Sequence, residues 1–439
     1  MLILFISILS LLLICFYIYF FLHKRIFSFV GMFLIFYFIC YYAGYPLIFL
    51  VYHLKGDFRG VSPNSWNFVA FYSFIFLIFF LLFSLPFSRF YPKGKFFLKF
   101  KCNRRTTFKL LMITSLIIYL ISIAMYVVKN GGFVLLKAHD YTERFEGNAG
   151  AGFISIFFQL YIPLVILYFL INPNKNRLLG AFFLSVMLGI LNYMAIGGMR
   201  NIFLSGILAL VALSFDKRLL RLRTIILLGI TISAFATLLA IFRYWNFFKN
   251  LNPEDALYYI IIYTIDSFAP IYSLYKIIEK VPNVVDYISI SYFHNYFLAF
   301  IPRFIWPDKP ILMKTSAWFF TTHILQYGRE VIISPTFVGE MYMMFGLWGI
   351  LIGAFLLALI LNILDITLYK PNCKRLILYY SLIPLTFWIG RGILETFIYR
   401  LLLFLITFYF VLFVTSIITS AIRRKVLYEN SNTNQQISN

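Results

Sequence analysis

Long apolar runs, each followed by a short polar link, make up most of the 439-residue chain. Apolar runs of about 18 or more residues are long enough to cross a bilayer as α-helices. The pattern therefore predicts about eleven membrane-spanning helices connected by short links. The predicted spans are residues 2–22, 26–54, 67–88, 110–128, 153–171, 178–196, 202–215, 224–242, 337–369, 376–390 and 401–421.

The alternation of runs and links stops between the eighth and ninth predicted spans. No basic cluster typical of a cytoplasmic link occurs there, and residues 256–280 have the spacing of an amphipathic helix lying along a membrane surface. The pattern thus predicts four parts. They are residues 1–242 with eight transmembrane helices, 243–336 as a large periplasmic loop with interfacial helices, 337–422 with three more transmembrane helices, and 423–439 as a cytoplasmic tail.

Helix-breaking residues interrupt the apolar pattern between Asn295 and Gly349. Three prolines and Trp306 lie within residues 301–310, and glycines recur in Gly339-Glu340 and in residues 345–349. Irregular backbone at membrane depth occurs where protein buries it or where it lines a wet cavity. This stretch is therefore predicted to form the floor of a site.

The composition supports the same class of protein. The chain is 62% hydrophobic and 12% charged, with a mean hydropathy of +0.88. A soluble domain does not have this balance, because about a quarter of its residues are charged. The predicted fold is all-α, that of a polytopic integral membrane protein.

The net charge of +22 would suggest a nucleic-acid partner in a soluble protein, but here its distribution indicates topology. Lys and Arg cluster in the short links, and residues 89–109 contain eight of them and no acid. Such links face the cytoplasm under the positive-inside rule. The prediction places the N-terminus outside and the C-terminus inside, with contacts to anionic lipid and none to nucleic acid.

The four cysteines form no ligand motif. Two of them lie in predicted spans, and Cys102 and Cys373 lie in basic links predicted to face the reducing cytoplasm. We therefore expect neither a disulfide nor a bound metal.

Three arginines interrupt or end apolar runs, where a charge is costly and marks a site by default. Arg200 follows Gly197-Gly198-Met199, Arg243 ends a predicted span beside Trp245, and Arg303 follows Pro302. Guanidinium groups grip phosphate bidentately and stay charged. The alternatives are snorkelling to the interface for Arg200 and anchoring in the aromatic belt for Arg243.

Glu340 begins a predicted span among Met and Phe residues, where a carboxylate acts as a general base or pairs with an arginine. Arg391 and Glu395 are four residues apart, which favours a local salt bridge on one helical face. His294 and His323 can also accept a proton, although a lone histidine among aromatic residues is usually packed.

Arginines near an outer surface suit a diphosphate, and aromatic faces such as that of Trp306 suit sugar rings and an isoprenoid tail. The chain contains no glycine-rich phosphate loop or other nucleotide-binding motif. An activated substrate must therefore bring its own leaving group. This combination favours glycosyl transfer from a lipid diphosphate on the outer leaflet.

Several stretches resemble the Wzy-type O-antigen polymerases, which join oligosaccharide repeat units. They are residues 301–310 with their Pro-Arg and Trp-Pro pairs, Gly339-Glu340, Phe345-Gly346 and Gly197-Gly198-Met199-Arg200, where Met199 departs from the usual Gly-Gly-Arg or Gly-Ser-Arg turn. The resemblance implies a cofactor- and metal-independent glycosyltransferase of the GT-C type in the bacterial inner membrane, with its active site toward the periplasm. Such an enzyme transfers a growing glycan from undecaprenyl diphosphate to the non-reducing end of a lipid-linked repeat unit.

The resemblance also implies residue roles and a partner. Arg200, Arg243 and Arg303 would hold the diphosphate, with Arg391 also binding substrate. The acceptor hydroxyl would lose its proton to Glu340, with the two histidines as substitutes, and a polysaccharide chain-length regulator is an expected partner. Two alternatives stay open: an O-antigen ligase, and a flippase for lipid-linked oligosaccharides.

Overall fold

The structure of the protein is a computed structural model. It describes residues 2–22, 25–91, 105–137, 152–198, 200–243, 248–289, 291–298, 301, 305–306, 308–309, 314–327, 332–370 and 372–437.

Within these residues the secondary structure is helical, and the sole β-type pairing is an isolated bridge between Phe58 and Val61. The prediction of an all-α fold is confirmed. Short 3₁₀ helices cover Pro63–Ser65, Leu85–Phe90 and Ile156–Leu160, and a π-helical turn covers Phe320–Ile324. The α-helices are α1 (Leu2–Phe20), α2 (Phe29–Tyr41), α3 (Tyr45–Lys55), α4 (Trp66–Ser84), α5 (Arg105–Lys129), α6 (Val134–Lys137), α7 (Gly152–Ser155), α8 (Tyr161–Leu170), α9 (Lys175–Ala195), α10 (Arg200–Asp216), α11 (Leu222–Arg243), α12 (Pro253–Phe268), α13 (Ile271–Lys280), α14 (Ser291–Leu298), α15 (Ser316–Phe319), α16 (Phe337–Leu368), α17 (Cys373–Leu382), α18 (Leu385–Arg391) and α19 (Leu394–Ile437).

Seven helical segments in the described residues are long and apolar enough to cross a membrane, so the prediction of a polytopic membrane protein is confirmed. Shorter apolar helices cover Ile156–Leu170, Asn201–Asp216 and Leu222–Thr231. The seven segments are Leu2–Phe20, Phe29–Lys55, Pro63–Phe90, Thr107–Leu136, Lys175–Ala195, Phe337–Leu368 and Leu394–Ile422.

The starts of several helices follow from local sequence. The side chains of Ser28, Asn174, Asn252 and Thr336 each accept a hydrogen bond from a backbone N–H in the first turn of the helix that follows. A Ser, Thr or Asn in this position satisfies one of the N–H groups that the first turn leaves unpaired. These polar residues therefore help to set where α2, α9, α12 and α16 begin.

The predicted helix over residues 256–280 is wrong as a single element. α12 and α13 are separate helices whose axes differ by 75°, and Pro270 stands between them. Proline lacks the N–H that a continuous helix needs and is tolerated at a helix start. Prolines divide two predicted spans in the same way, with Pro46 in the first turn of α3 and Pro384 immediately before α18.

One end of the helix bundle brings together residues from links that the charge pattern assigns to one side. The Arg25 guanidinium carbon lies 3.5 Å from the ring centroid of Tyr369 and 5.5 Å from that of Tyr91. Its Nη2 donates to the Tyr379 hydroxyl at 3.3 Å, and that hydroxyl donates to Asp365 Oδ1 at 2.8 Å. We call this the basic end of the bundle.

Asp365 is fully buried at the basic end and also accepts hydrogen bonds from the backbone N–H groups of Phe29 and Val30, at 3.0 and 3.1 Å. A carboxylate placed against the first turn of α2 is stabilised by the helix dipole and by unpaired N–H groups. Nearby, the Tyr380 hydroxyl donates to Asp216 Oδ2 at 2.5 Å. The ends of α10 and α16 are thus fastened to α17.

The opposite end of the bundle carries the segment between α11 and α16, and we call it the loop end. Lys55 Nζ lies 2.9 Å from Asp255 Oδ1. Arg59 grips the carboxylate of Asp266 with two hydrogen bonds, at 3.1 and 2.6 Å. The end of α3 therefore holds the start of α12, and the link after α3 holds the end of α12.

The prediction about cysteines is wrong at one residue. Cys15 and Cys40 are free thiols, but Cys373 is disulfide-bonded. The expectation came from spacing and from the assigned compartment, and neither determines the covalent partner of Cys373.

Candidate functional site

The candidate site lies at the loop end, where α16 is broken within the stretch that the sequence singles out. Phe345 and Gly346 have non-helical backbone angles, and Gly346 has φ of 58° and ψ of −137°. The break releases the carbonyl of Met343, which accepts a hydrogen bond from the N–H of Ile288 at 2.9 Å. The predicted irregular backbone is thus present, and the loop segment buries and pairs it.

The short first part of α16, residues 337–344, is buried and carries Glu340, which is fully inaccessible. Glu340 Oε1 accepts hydrogen bonds from the hydroxyls of Tyr296 and Ser316, the latter at 2.6 Å. Glu340 Oε2 accepts a hydrogen bond from the backbone N–H of Leu394, the first residue of α19, at 2.7 Å. One carboxylate therefore joins α14, α15, α16 and α19.

Tyr296 remains a donor in this arrangement. Burial raises its pKa, and the negative charge of Glu340 raises that pKa further, so the phenol keeps its proton. Both oxygens of Glu340 are engaged, and the side chain has no exposed surface. In this geometry Glu340 joins the loop segment to the start of α19. None of its partners among the described residues is an arginine.

Arg391 ends α18 and donates from Nη2 to the carbonyl oxygen of Asp266 at 2.9 Å. That carbonyl belongs to the last turn of α12, where carbonyls lack helical partners and favour a cation. Arg391 and Glu395 form no ion pair, so the predicted local salt bridge is wrong. The physical reason is Gly392, whose non-helical angles end α18 before α19 begins, so that four-residue helical spacing does not apply.

Glu395 lies in the first turn of α19 and is partly exposed. Within the described part of the chain, its carboxylate has no hydrogen-bond or ion-pair partner. Glu340 and Lys309 both act on it electrostatically. Glu395 is thus a second carboxylate at this site, beside the fully buried one, and it is partly buried itself.

A small cavity opens near the same helix ends, between α8, α10, α17, α18 and α19. The guanidinium carbon of Arg400 lies 3.6 Å from a ring centroid of Trp388, in a cation–π contact. Arg400 Nε and Ser381 Oγ are buried without hydrogen-bond partners in the described structure. The cavity is lined by Gln159, Ile162, Ile202, Ser205, Ser381, Pro384, Leu385, Trp388 and Arg400.

A family model for the WzyE protein, described as an O-antigen assembly polymerase, matches residues 1–418. The chain belongs to this family. No solved structure matches the chain. Family membership gives the protein a polymerase role in O-antigen assembly, with glycosyltransferase-like activity on a lipid-linked oligosaccharide in a membrane.

Of the three arginines expected to hold the diphosphate of this WzyE-family polymerase, Arg303 lies outside the described residues. The backbones of Arg200 and Arg243 are described, and their side chains are not. Arg200 begins α10 and Arg243 ends α11. These helices run antiparallel, because a short link joins them and the rings of Phe203 and Phe235 lie 5.9 Å apart. The two arginine backbones therefore lie toward the same end of the pair, and the convergence of all three side chains stays a prediction.

The other expected site residues of the polymerase lie in or near the loop segment. His294 and His323 are both exposed, and the His323 ring lies 4.9 Å from that of Phe319. Trp306 is partly exposed, and its carbonyl accepts a hydrogen bond from the N–H of Lys309 at 3.2 Å. The described contacts do not join either histidine to Glu340.

The sequence did not predict which residues of this WzyE-family chain contact Glu340 and Arg400. Tyr296 and Ser316 lie in the predicted periplasmic loop and belong to no motif, and Trp388 lies within a predicted span. Arg400 had one usable signal, since it is a charge ten residues after the end of the predicted span that contains Trp388 and next to an apolar run. Intramembrane charge is a default mark of function, and that rule applied to Arg400 as well as to Arg200.

Proposed function

We propose that the polymerase transfers a growing glycan from undecaprenyl diphosphate to the non-reducing end of a lipid-linked repeat unit. The bond between the anomeric carbon and the diphosphate oxygen breaks as a bond to the acceptor hydroxyl forms. The acceptor proton passes to a carboxylate, and undecaprenyl diphosphate leaves. The observation that carries this proposal is the family match over residues 1–418.

The reaction is proposed for the periplasmic face of the bacterial inner membrane, in a GT-C-like architecture with about eleven spans. The seven long segments, with the shorter helices α8, α10 and α11 and the divided pair α17–α18, supply enough helices for that number. The basic end supports this choice of membrane face. There Arg25, from one basic link, contacts the rings of Tyr91 and Tyr369, which lie at the margins of two other basic links. Under the positive-inside rule that end faces the cytoplasm, and the loop end then faces the periplasm.

In this proposal guanidinium groups stabilise the charge that develops on the diphosphate as the glycosidic bond breaks. Arg200, Arg243 and Arg303 are the proposed groups. Arg391 is a further proposed substrate ligand, and it donates a hydrogen bond to the last turn of α12. Trp306 and the exposed histidines His294 and His323 are proposed to contact sugars.

Two carboxylates have separate proposed roles, one in positioning and one in proton transfer. Glu340 accepts three hydrogen bonds and is proposed to position the loop segment and the start of α19. Glu395 is proposed to accept the proton of the acceptor hydroxyl, because its side chain is partly exposed and unpartnered within the described residues.

Deletion of the gene with gel analysis of surface polysaccharide tests the function. We expect the ladder to collapse to a single repeat unit on the lipid core, and the wild-type chain to restore the ladder. Free polymer that is not attached to the core would instead indicate a ligase. Substrate trapped on the cytoplasmic leaflet would indicate a flippase. A chain-length regulator as partner predicts that removing that protein changes the ladder's length distribution without collapsing it.

A further inference from the structure

Arg400 is a partly buried cation for which the described part of the chain supplies no counter-charge. It forms none of the ion pairs found there, and its Nε is buried without a hydrogen-bond partner. The Trp388 ring covers one face of the guanidinium, with 3.6 Å between the guanidinium carbon and the ring centroid. A guanidinium keeps its charge, and a charge held away from water is unfavourable unless something pairs with it. This arrangement therefore favours an anion beside Arg400.

The cavity that Arg400 lines presents two further hydrogen-bond donors. Ser381 is 1% exposed, and its Oγ has no hydrogen-bond partner in the described structure. The side chain of Gln159 lines the cavity from the 3₁₀ helix before α8, and no contact within the described residues occupies its amide. A hydroxyl can rotate its hydrogen toward a ligand, and an amide has two N–H groups to donate. Both groups can therefore join Arg400 Nε around one bound particle.

The other walls of the cavity carry no negative group, since no Asp or Glu lines it. Ile202 and Ser205 place the first two turns of α10 at one wall, and the N-terminus of this 17-residue helix is partially positive. Ser205 donates its own hydrogen to the carbonyl of Asn201 at 2.7 Å, so it is not among the free donors. The electrostatics of the cavity thus favour an anion over a cation.

The size of the cavity limits what that anion can be, because its interior has room for about one water molecule. A phosphate or carboxylate ligand has several heavy atoms, whereas a halide is a single atom slightly larger than water. A water molecule would satisfy the donors but would not neutralise Arg400. Gln159, Trp388 and Arg400 are partly exposed, which leaves an edge through which a small ion can enter.

We propose that this cavity binds one small monovalent anion, with chloride as the ligand, held by Arg400 Nε, Ser381 Oγ and the Gln159 amide. The ion joins α17 and α19 to the segment before α8. Its binding stabilises the folded chain, because a ligand that binds the folded state alone shifts the unfolding equilibrium. The inference does not depend on the proposed glycosyl transfer, since its test measures the ion and no polymer.

The test uses the purified full-length chain in a non-ionic detergent, with chloride exchanged for gluconate at constant ionic strength. Gluconate is too large for the cavity. Broadening of the chloride-35 NMR signal reports binding, and the thermal midpoint reports stabilisation. For the wild type we expect broadening that saturates with chloride. We also expect a midpoint about 2–4 °C higher in chloride than in gluconate.

Two variants locate the ion. Arg400→Gln removes the charge, and we expect it to abolish the broadening and the difference in midpoint. Ser381→Ala keeps the charge and removes one donor, so the chloride concentration for half-saturation should rise by about fivefold. This second variant decides the outcome if Arg400→Gln does not fold. Arg177→Gln is the matched control, because Arg177 also stacks on an aromatic ring, that of Tyr168 at 4.8 Å, and neither residue lines the cavity.

A wild-type chain that broadens the chloride signal no more than detergent alone would overturn the site and leave water as the occupant. Broadening that Arg400→Gln and Ser381→Ala both retain at the wild-type half-saturation would also overturn it, since the ion would then bind elsewhere. Neither result would change the ladder expected from gene deletion, so the proposed function is tested separately.

Discussion

Glu340 and Glu395 are acids near the starts of two helices, and their surroundings give them different capacities. Glu340 is fully buried, and its oxygens receive two hydroxyl donors and the backbone N–H of Leu394. Glu395 is partly exposed and has no partner among the described residues. A general base must reach the proton that it removes, so accessibility favours Glu395. The hydrogen bonds favour a positioning role for Glu340.

Replacing each glutamate by glutamine separates the two roles. Glu340→Gln puts an amide donor against the N–H of Leu394 or the two hydroxyls, and an unsatisfied buried group costs about 1–3 kcal/mol. We expect a lower thermal midpoint in detergent and a shorter polymer ladder. Glu395→Gln keeps the size of the side chain and should leave the midpoint nearly unchanged, while kcat for lipid-linked repeat units falls by about 10²-fold or more.

The two assigned roles are contradicted if each variant shows the result expected of the other. Wild-type turnover by Glu395→Gln would remove Glu395 as the base. A Glu340→Gln variant with the wild-type midpoint and no turnover would return that role to Glu340.

At the scale of elements, the break in α16 depends on a glycine. Gly346 has φ of 58° and ψ of −137°, a combination that residues with a side chain rarely adopt. The break turns the buried first part of α16 away from the continuous second part and lets Ile288 pair with Met343. A straight helix would leave the loop segment without this attachment.

Gly346→Ala tests this dependence. A Cβ at this position would lie 2.8 Å from the Tyr287 hydroxyl, and the backbone conformation itself becomes strained by about 1–3 kcal/mol. We expect a lower thermal midpoint and reduced polymer length. Gly229→Ala in α11 is the control, because nothing lies within 4 Å of its added Cβ. Alanine should stabilise that helix by up to about 1 kcal/mol. If both variants melt like the wild type, the break does not depend on glycine.

At the scale of the whole molecule, α16 connects two polar clusters. Glu340 lies near its start, at the loop end, and Asp365 lies near its finish, at the basic end. Each buried carboxylate pairs with a backbone N–H at the start of another helix, α19 in one case and α2 in the other. The two clusters therefore hold helices together at opposite ends of the bundle. The membrane face on which one cluster lies determines the face on which the other lies.

Cysteine labelling in intact cells tests the proposed sidedness. Val284 is 70% exposed at the loop end, and Lys374 is exposed at the start of α17, toward the basic end. In a chain whose native cysteines are replaced, Val284→Cys should react with a membrane-impermeant maleimide. Lys374→Cys should react after permeabilisation alone. Each variant must restore the polysaccharide ladder in the deletion strain. The reverse labelling pattern would place the loop end in the cytoplasm and contradict the periplasmic site.

The sequence alone established the class of protein and the positions of its long apolar helices, because apolar runs, capping residues and prolines act on the chain within a few residues. The predicted run 337–369, for example, is α16 (Phe337–Leu368), and the Gly197-Gly198 turn has left-handed glycines before α10. Tertiary structure decided the partners. Glu340 meets the N–H of a residue 54 positions away, and Asp365 meets one 336 positions away. Arg391 contacts the carbonyl of Asp266 and not Glu395, and Arg400 lines a cavity between five α-helices. A local pattern shows where a charge is costly, but packing between distant segments decides what pairs with it.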